Sequence, residues 1–233
     1  MKSLIVIPAF NEAKSLPSVI KEIRNSLKNI DILVIDDGSL DQTSLVAQKS
    51  GALVIQMPYN LGIASSRETG LWYALENDYD ILIQMDADGQ HDSRYIPKLL
   101  EPILLKRADA VIGSRFVNNK NIDQTSTPRY FGISLLSLIL AILTGQRIFD
   151  PTSGFSAYNK RAMGVLAKNY PSDYPEPEIP IILHRAALKL KEVSVKMRIR
   201  KTGQSSISYK NALYFLGKVL IGMIVTMLRK VER

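Results

Sequence analysis

The chain has 233 residues, of which 46% are hydrophobic and 22% charged, as expected for one packed α/β domain with an appendage. It has no cysteine and only two histidines, which excludes a disulfide scaffold, a cysteine-ligated metal and a multi-histidine zinc centre. The formal net charge of +8 indicates an anionic partner, and nucleic acid, a membrane surface and a phosphorylated substrate all meet this condition. The first apolar run, residues 4–7, is too short for a signal peptide, so we expect no export.

Short apolar runs alternate with helical patterns in the first half, which is typical of βαβ units around a mainly parallel sheet. Strands are predicted at residues 4–7, 32–35, 53–56, 81–85 and 110–112. Helices with apolar residues at helical spacing are predicted between these strands. The pattern therefore predicts an open α/β sheet.

The second half is less regular. Residues 132–145 carry no charge, which predicts a buried or interfacial helix. Four prolines between residues 171 and 180 predict a loop before a helix, and residues 193–199 alternate as in a strand. Residues 212–228 contain one charge, Lys218, and would form a helix of about 25 Å, shorter than the ~30 Å hydrocarbon core. We expect this helix to lie in the membrane plane, or else to pack against a partner or within a dimer.

Polar side chains follow four of the predicted strands. These are Asn11 and Glu12, Asp36 and Asp37, Asp86 and Asp88, and Arg115. In open α/β sheets, ligands bind beyond the carboxyl ends of the strands. We therefore expect the four groups to form one site.

Two of these groups suggest specific chemistry. Asp86-Ala87-Asp88 can hold Mg²⁺ or Mn²⁺ against a diphosphate leaving group, although a capped, solvated turn has the same residues. Asp36-Asp37-Gly38-Ser39 can hydrogen-bond a base and a ribose, or can simply cap the next helix. The chain lacks Gly-x-Gly-x-x-Gly after the first strand and lacks Gly-Lys-Ser/Thr, which argues against a dinucleotide site and a P-loop.

Taken in order, the motifs resemble those of family-2 glycosyltransferases with the GT-A fold. They are Pro8-Ala9-Phe10-Asn11-Glu12, Asp36-Asp37-Gly38-Ser39, Asn60-Leu61-Gly62, Asp86-Ala87-Asp88-Gly89-Gln90-His91 and Gly113-Ser114-Arg115-Phe116. Residues 150–155 and the Arg-x-x-Gly-x-Ser pattern at 200–205 resemble the dolichol-phosphate mannose synthase branch. The resemblance implies a three-layer α/β/α sandwich over residues 1–206, followed by an apolar, basic helix within 207–233.

The resemblance also implies roles for individual residues. The nucleotide pocket would be lined by Pro8, Ala9, Asn11, Glu12, Asp36, Asp37, Arg67, Asp86 and Ala87. Asp86 and Asp88 would hold the metal and the diphosphate. The phosphates of donor or acceptor would be contacted by Gln90, Arg115, Arg129, Ser153 and Arg200, since guanidinium donors match phosphate oxygens in pairs. Arg200 has an alternative role on a solvated strand face.

The implied reaction is an inverting displacement at the anomeric carbon of a UDP- or GDP-linked sugar. A polyprenyl phosphate acceptor is already anionic and needs no general base. A sugar hydroxyl in a growing polysaccharide needs one, and Asp150, Glu176 and Glu178 are the candidates. Arg115, Arg200, the apolar helices and the net charge favour the lipid phosphate.

We therefore expect a peripheral enzyme at the cytoplasmic face of the membrane, acting in cell-envelope glycan synthesis. We expect no nucleic-acid partner. Two alternatives are not decided by the sequence: that the protein is a homo-oligomer, and that it is a non-catalytic nucleotide-sugar sensor. The intact Asp86 and Asp88 pair argues against the sensor, which has less need to stabilise a leaving group.

Overall fold

The computed structural model describes residues 1–117, 127–198 and 212–232, and for 127–129 and 212–216 it describes the backbone. The strands are β1 (Ser3–Ala9), β2 (Asp31–Asp36), β3 (Leu53–Gln56), β4 (Ile81–Gln84), β5 (Ala110–Ser114), β6 (Ser156–Asn159) and β7 (Leu190–Ser194). The helices are α1 (Leu16–Ser26), α2 (Thr43–Lys49), α3 (Ile63–Glu76), α4 (Ile96–Leu104), α5 (Thr127–Thr144), α6 (Lys160–Asn169), α7 (Pro175–Arg185) and α8 (Ala212–Leu228).

The strands form one sheet in the order β3-β2-β1-β4-β6-β5-β7. Of the seven strands that the structure describes, only β6 runs antiparallel to its neighbours, β4 and β5. The interior strand β1 is a continuous apolar run that is fully buried from Leu4 to Ile7, as expected for a parallel strand covered on both faces. The carboxyl ends of β1, β2, β4 and β5 therefore lie at the same edge of the sheet.

Each face of the sheet carries its own hydrophobic core. On one face the sheet packs against α3, α5, α6, α7 and α8. On the other face it packs mainly against α1 and α4, with Ala47 of α2. This arrangement confirms the expected α/β/α sandwich with a mainly parallel sheet.

Two local expectations were wrong, and one strand was missed. Strand β6 was missed because its four residues, Ser-Ala-Tyr-Asn, show no clear apolar alternation. Strand β7 ends at Ser194, where its partner β5 also ends, instead of continuing toward residue 199. Helix α7 begins at Pro175, within the expected loop, because a proline in the first turn lacks only an N–H that would have no intrahelical partner.

Helix α8 packs against α7 through Val219 and Met223, which are buried. Polar contacts fix its orientation: Lys218 is 3.0 Å from Asp173, and the Arg229 side chain donates to the Asn169 carbonyl at 2.8 Å. In the described part of the chain, no helix is both long and apolar enough to span a bilayer.

Candidate active site

The loops after β1 and β2 are tied to one another at the sheet edge. The Asn11 N–H donates to Ser39 Oγ at 2.8 Å, and Asn11 Oδ1 accepts the Leu40 N–H at 2.9 Å. Asn11 adopts φ 55°, a left-handed conformation that asparagine tolerates better than most residues. The Asp37 N–H donates to the carbonyl of Ala9, so the end of β1 is fixed against the β2 loop.

Three acidic residues predicted to bind the nucleotide stabilise these loops. Asp37 is buried and accepts the N–H groups of Leu61 and Gly62, both at 2.8 Å. Asp36 accepts the Ser39 N–H at 3.0 Å and the Ser44 hydroxyl. The Glu12 carboxylate accepts a hydrogen bond from the Ser15 hydroxyl, and the backbone N–H of Glu12 donates to Thr43 Oγ1 at 2.9 Å.

Gly38 occupies a position that no other residue could take without strain. Its φ is +71°, and a Cβ placed there would lie 2.6 Å from the Tyr59 carbonyl carbon. The Asp-Asp-Gly-Ser motif therefore brings the β2 loop into close contact with residues 59–62.

The loop after β4 carries Asp86 and Asp88. The Asp86 side chain is 31% exposed, and Asp88 Oδ1 accepts the Gln90 N–H at 3.0 Å. His91 Nδ1 accepts the Asp86 N–H at 3.0 Å, while the buried imidazole stacks on Phe155 with ring centroids 4.9 Å apart. Burial lowers the pKa of His91, although Asp86 and Asp88 oppose the shift, so the ring is neutral at pH 7.

The chemistry of this loop fits a hard divalent cation that shares its ligands with a substrate. Within the described ranges, no three His, Cys, Asp or Glu side chains are grouped so that they could hold a metal by themselves. Asp86 and Asp88 supply carboxylate oxygens, the ligands that Mg²⁺ and Mn²⁺ prefer. Phosphate oxygens and water would complete such a shell.

Arg67, on α3, lies beside Asp86 and is almost fully buried, with 2% of its side chain exposed. Its Nη2 is 3.0 Å from Asp86 Oδ1, and its Nη1 is 2.5 Å from Glu176 Oε1 on α7. Burial by itself would lower the pKa of Arg67, but Glu176 and Asp86 raise it above its ordinary value. A charged guanidinium therefore links α3, α7 and the β4 loop.

Gly154 leaves the space that Arg67 occupies. A Cβ at this position would lie 2.3 Å from Arg67 Nη2 and 3.2 Å from Asp86 Oδ1. No sequence motif indicates this role, because the contact joins residues far apart in the chain.

Arg115 follows β5 and makes a bidentate contact with Asp150. Its Nε and Nη2 each lie 2.7 Å from a carboxylate oxygen of Asp150, and Nη2 also donates to Thr152 Oγ1 at 2.9 Å. Burial would lower the pKa of Arg115, but Asp150 and Asp86 raise it. Arg115 therefore stays charged within the electrostatic reach of Asp86.

Asp150 is fully buried, and its loop is supported by Glu192 of β7, a residue that no sequence motif indicated. Glu192 accepts the N–H groups of Phe149 and Asp150 at 2.7 and 2.9 Å. Burial raises the pKa of Glu192, partly offset by these hydrogen bonds. Ser153, a predicted phosphate contact, is also buried and donates to the Gly113 carbonyl at 2.7 Å.

Glu176 and Glu178, which the sequence groups together, face different parts of the protein. Glu176 contacts Arg67, whereas Glu178 accepts the Thr226 hydroxyl of α8. The structure therefore brings Glu176 to the edge that holds Asp86, and places Glu178 between α7 and α8.

The segment after β7 runs across the β4 loop. The Arg198 N–H donates to the Gln90 carbonyl at 2.9 Å, and Gln90 Nε2 donates to the Arg198 carbonyl at 3.2 Å. The Arg198 guanidinium binds Glu22 and Asp92, and the aspartate is 3.1 Å away. Arg200 and the side chain of Arg129 lie outside the described residues.

The model of glycosyl transferase family 2 matches residues 4–166. The chain belongs to this family. It is 31% identical to the undecaprenyl-phosphate mannosyltransferase of Micrococcus luteus, over 89% of this chain and 88% of the relative. It is also 31% identical to a UDP-N-acetylglucosamine–dolichyl-phosphate N-acetylglucosaminyltransferase of Methanococcus voltae, over 82% and 84% of the two chains. The family assignment confirms the resemblance, and the protein is a glycosyltransferase.

A solved structure supports the fold of this family-2 member. Glucosyl-3-phosphoglycerate synthase of Mycobacterium tuberculosis, in complex with Mn²⁺, UDP-glucose and phosphoglyceric acid, superposes with a TM-score of 0.76. The match covers 98% of this chain and 80% of that structure at 19% identity. The shared feature is the GT-A architecture.

Proposed function

We propose that this glycosyltransferase moves a sugar from a UDP- or GDP-linked donor to a polyprenyl phosphate, with inversion at the anomeric carbon. The observation that carries the proposal is one sheet edge with an acidic pair, Asp86 and Asp88, in the loop after β4 and a carboxylate-held cation, Arg115, directly after β5. The similar Micrococcus and Methanococcus proteins are named for transfer to polyprenyl phosphates. Their different sugars leave the donor open.

The β1, β2 and β4 loops form the donor half of the proposed site. The loops fixed by Asn11, Glu12, Asp36 and Asp37 would hold the nucleoside beside Pro8, Ala9 and Ala87. Asp86 and Asp88 would hold Mg²⁺ or Mn²⁺, which when bound stabilises the negative charge of the departing diphosphate. The M. tuberculosis synthase named above binds Mn²⁺ together with its nucleotide sugar, which supports this proposal.

Three carboxylates were candidates for a general base, and each one is already paired. Asp150 binds Arg115, Glu176 binds Arg67, and Glu178 binds Thr226. An acceptor hydroxyl would need one of them to accept a proton, whereas an acceptor phosphate is already an anion. The pairing therefore favours a lipid phosphate.

Arginines would bind the acceptor phosphate in this scheme. Arg115 is held rigidly by Asp150, which limits the entropy lost on binding. Arg200 follows Arg198, whose backbone is bonded to Gln90 of the metal loop. We propose that Arg115 and Arg200 contact the phosphate, with Arg129 as a further candidate.

Two helices supply apolar surface suited to the lipid. We define the apolar face of α5 as Phe131, Leu138 and Ile142, and that of α8 as Ile221, Ile224, Val225 and Leu228, all more than half exposed. Neither helix contains an acidic residue, and Arg229 and Lys230 follow α8. Such a surface fits an anionic bilayer. We therefore propose that the enzyme lies on the cytoplasmic face of the membrane, with 1–206 as its catalytic unit and 207–233 as its membrane-facing part.

The test uses radiolabelled UDP- and GDP-sugars with Mn²⁺ and, in parallel reactions, undecaprenyl phosphate or an oligosaccharide. We expect label in the organic phase with the lipid acceptor, and none when EDTA is present. Label only in the oligosaccharide would support the polysaccharide-elongating alternative and contradict the lipid acceptor. No transfer at all, together with stabilisation by a nucleotide sugar, would instead support a sensor.

A further inference from the structure

The two carboxylates that contact Arg67 belong to different parts of the fold and differ in their exposure to solvent. A single buried guanidinium contacts Asp86 on the metal loop and Glu176 on α7. Glu176 is also largely buried, with 20% of its side chain exposed, whereas Asp86 is 31% exposed. Gly154 borders the Arg67 and Asp86 contact so closely that a methyl group would not fit. The three charged groups therefore form a fixed row running from α7 to the sheet edge.

We infer that Glu176 is a positioning residue for the proposed metal site: it neutralises Arg67 and so weakens the competition of Arg67 with a divalent cation for the Asp86 carboxylate. The inference rests on the proposed function, because it assumes the metal at Asp86 and Asp88. Glu176 is not given a proton-transfer role.

The physical reason lies in the charges. Without Glu176, the full positive charge of Arg67 would act on Asp86 and compete with a metal for its carboxylate. The same charge would repel an incoming dication, and buried charges are screened only weakly. With Glu176 in place, the Arg67 and Glu176 pair is neutral overall. A residue that supports a metal ligand in this way typically changes metal affinity by about 10- to 100-fold when it is mutated.

The experiment compares wild type with Glu176→Gln, which removes the charge and keeps the shape and a carbonyl acceptor for Arg67. Free Mn²⁺ is measured by electron paramagnetic resonance during titration, with saturating UDP or GDP, whichever stabilises the wild type thermally. We expect Mn²⁺ to bind roughly tenfold or more weakly to the variant. If wild type fails to bind Mn²⁺ in the presence of UDP and also in the presence of GDP, the proposed function itself is contradicted.

Glu178→Gln is the matched control, with the same substitution on the same helix, two residues along. Since Glu178 faces Thr226 and not Arg67, the Mn²⁺ affinity of the Glu178→Gln variant should stay within about twofold of wild type. Equal Mn²⁺ affinity in wild type and a folded Glu176→Gln would overturn the inference. So would an equal loss of affinity in both variants.

Kinetics separate positioning from proton transfer. A positioning role raises the Mn²⁺ concentration needed for half-maximal rate, and saturating Mn²⁺ restores kcat to within about threefold of wild type. A general base would instead lower kcat by about 10²- to 10⁴-fold at every Mn²⁺ concentration, and that result would overturn the inference.

Gly154→Ala provides a second test if Glu176→Gln does not fold. The added methyl would displace the Arg67 guanidinium, which competes with the metal for the Asp86 carboxylate. We therefore expect the variant to bind Mn²⁺ at least as tightly as wild type. Binding weaker by about tenfold or more would show that Arg67 supports the metal site instead of competing with it, and would overturn the inference.

Discussion

The donor half of this glycosyltransferase, formed by the β1, β2 and β4 loops, is held together differently from its helical half, formed by α3, α7 and α8. In the donor half, Asp36 binds Ser39 and Asp88 binds Gln90, three and two residues away. The longer contact from Asn11 to Ser39, across 28 residues, still joins two of the sequence motifs. In the helical half, Glu176 binds Arg67 across 109 residues and Glu178 binds Thr226 across 48. Motifs therefore locate the donor half well, whereas roles in the helical half depend on packing.

Asp88→Asn is the sharpest test of the donor half. Loss of a carboxylate from the acidic pair should lower kcat/KM about 100-fold or more, because diphosphate departure would lose its stabilisation. The assay is transfer of labelled sugar at saturating Mn²⁺. Asp80→Asn is the control, because Asp80 immediately precedes β4 at the opposite edge of the sheet. An equal loss of kcat/KM in this variant would refute a specific role for Asp88.

Gly38→Ala tests whether the β2 loop needs its close contact with residues 59–62. The positive φ and the 2.6 Å approach to Tyr59 should cost about 2 kcal/mol or more of unfolding free energy. Urea unfolding measures this cost. Gly51→Ala is a useful comparison, since φ there is +82° and a Cβ would meet no neighbour within 4 Å. Equal losses of unfolding free energy in the two variants would mean that backbone strain, and not the close contact with Tyr59, causes the destabilisation.

Ile224→Glu tests the apolar face of α8. A buried charge at the lipid interface should weaken binding to vesicles containing phosphatidylglycerol by about tenfold, as measured by co-sedimentation. Leu104→Glu is the control, because Leu104 is similarly exposed on α4, on the opposite face of the sheet. If both variants bind vesicles like wild type, α8 does not face lipid.

Glu178→Gln should produce the smallest effect. Burial raises the pKa of Glu178 above its ordinary value, although the Thr226 hydrogen bond opposes the shift. An acid with a raised folded pKa contributes stability at low pH and loses it as pH rises through the folded value. The variant should therefore melt about 1 to 2 °C higher than wild type at pH 7, and no higher at pH 4. A lower melting temperature at pH 7 would mean that the hydrogen bond outweighs the cost of burial.

The sequence was enough to predict the order of the main elements and the edge that carries Asp86 and Arg115, because both follow from apolar periodicity and strand ends. It did not reveal β6, whose short polar sequence is stabilised by its neighbours β4 and β5. It also grouped Glu176 with Glu178 as possible bases. Their separate partners, Arg67 of α3 and Thr226 of α8, are set by the tertiary placement of α7, which no local pattern encodes.

The most direct measurement is a crystal structure with Mn²⁺ and UDP or GDP, using the anomalous signal of manganese. We expect one peak within coordination distance of a carboxylate oxygen of Asp86 or Asp88, with the diphosphate beside it and Arg67 still bound to Glu176. A nucleotide bound at this edge with manganese absent from both aspartates would contradict the account.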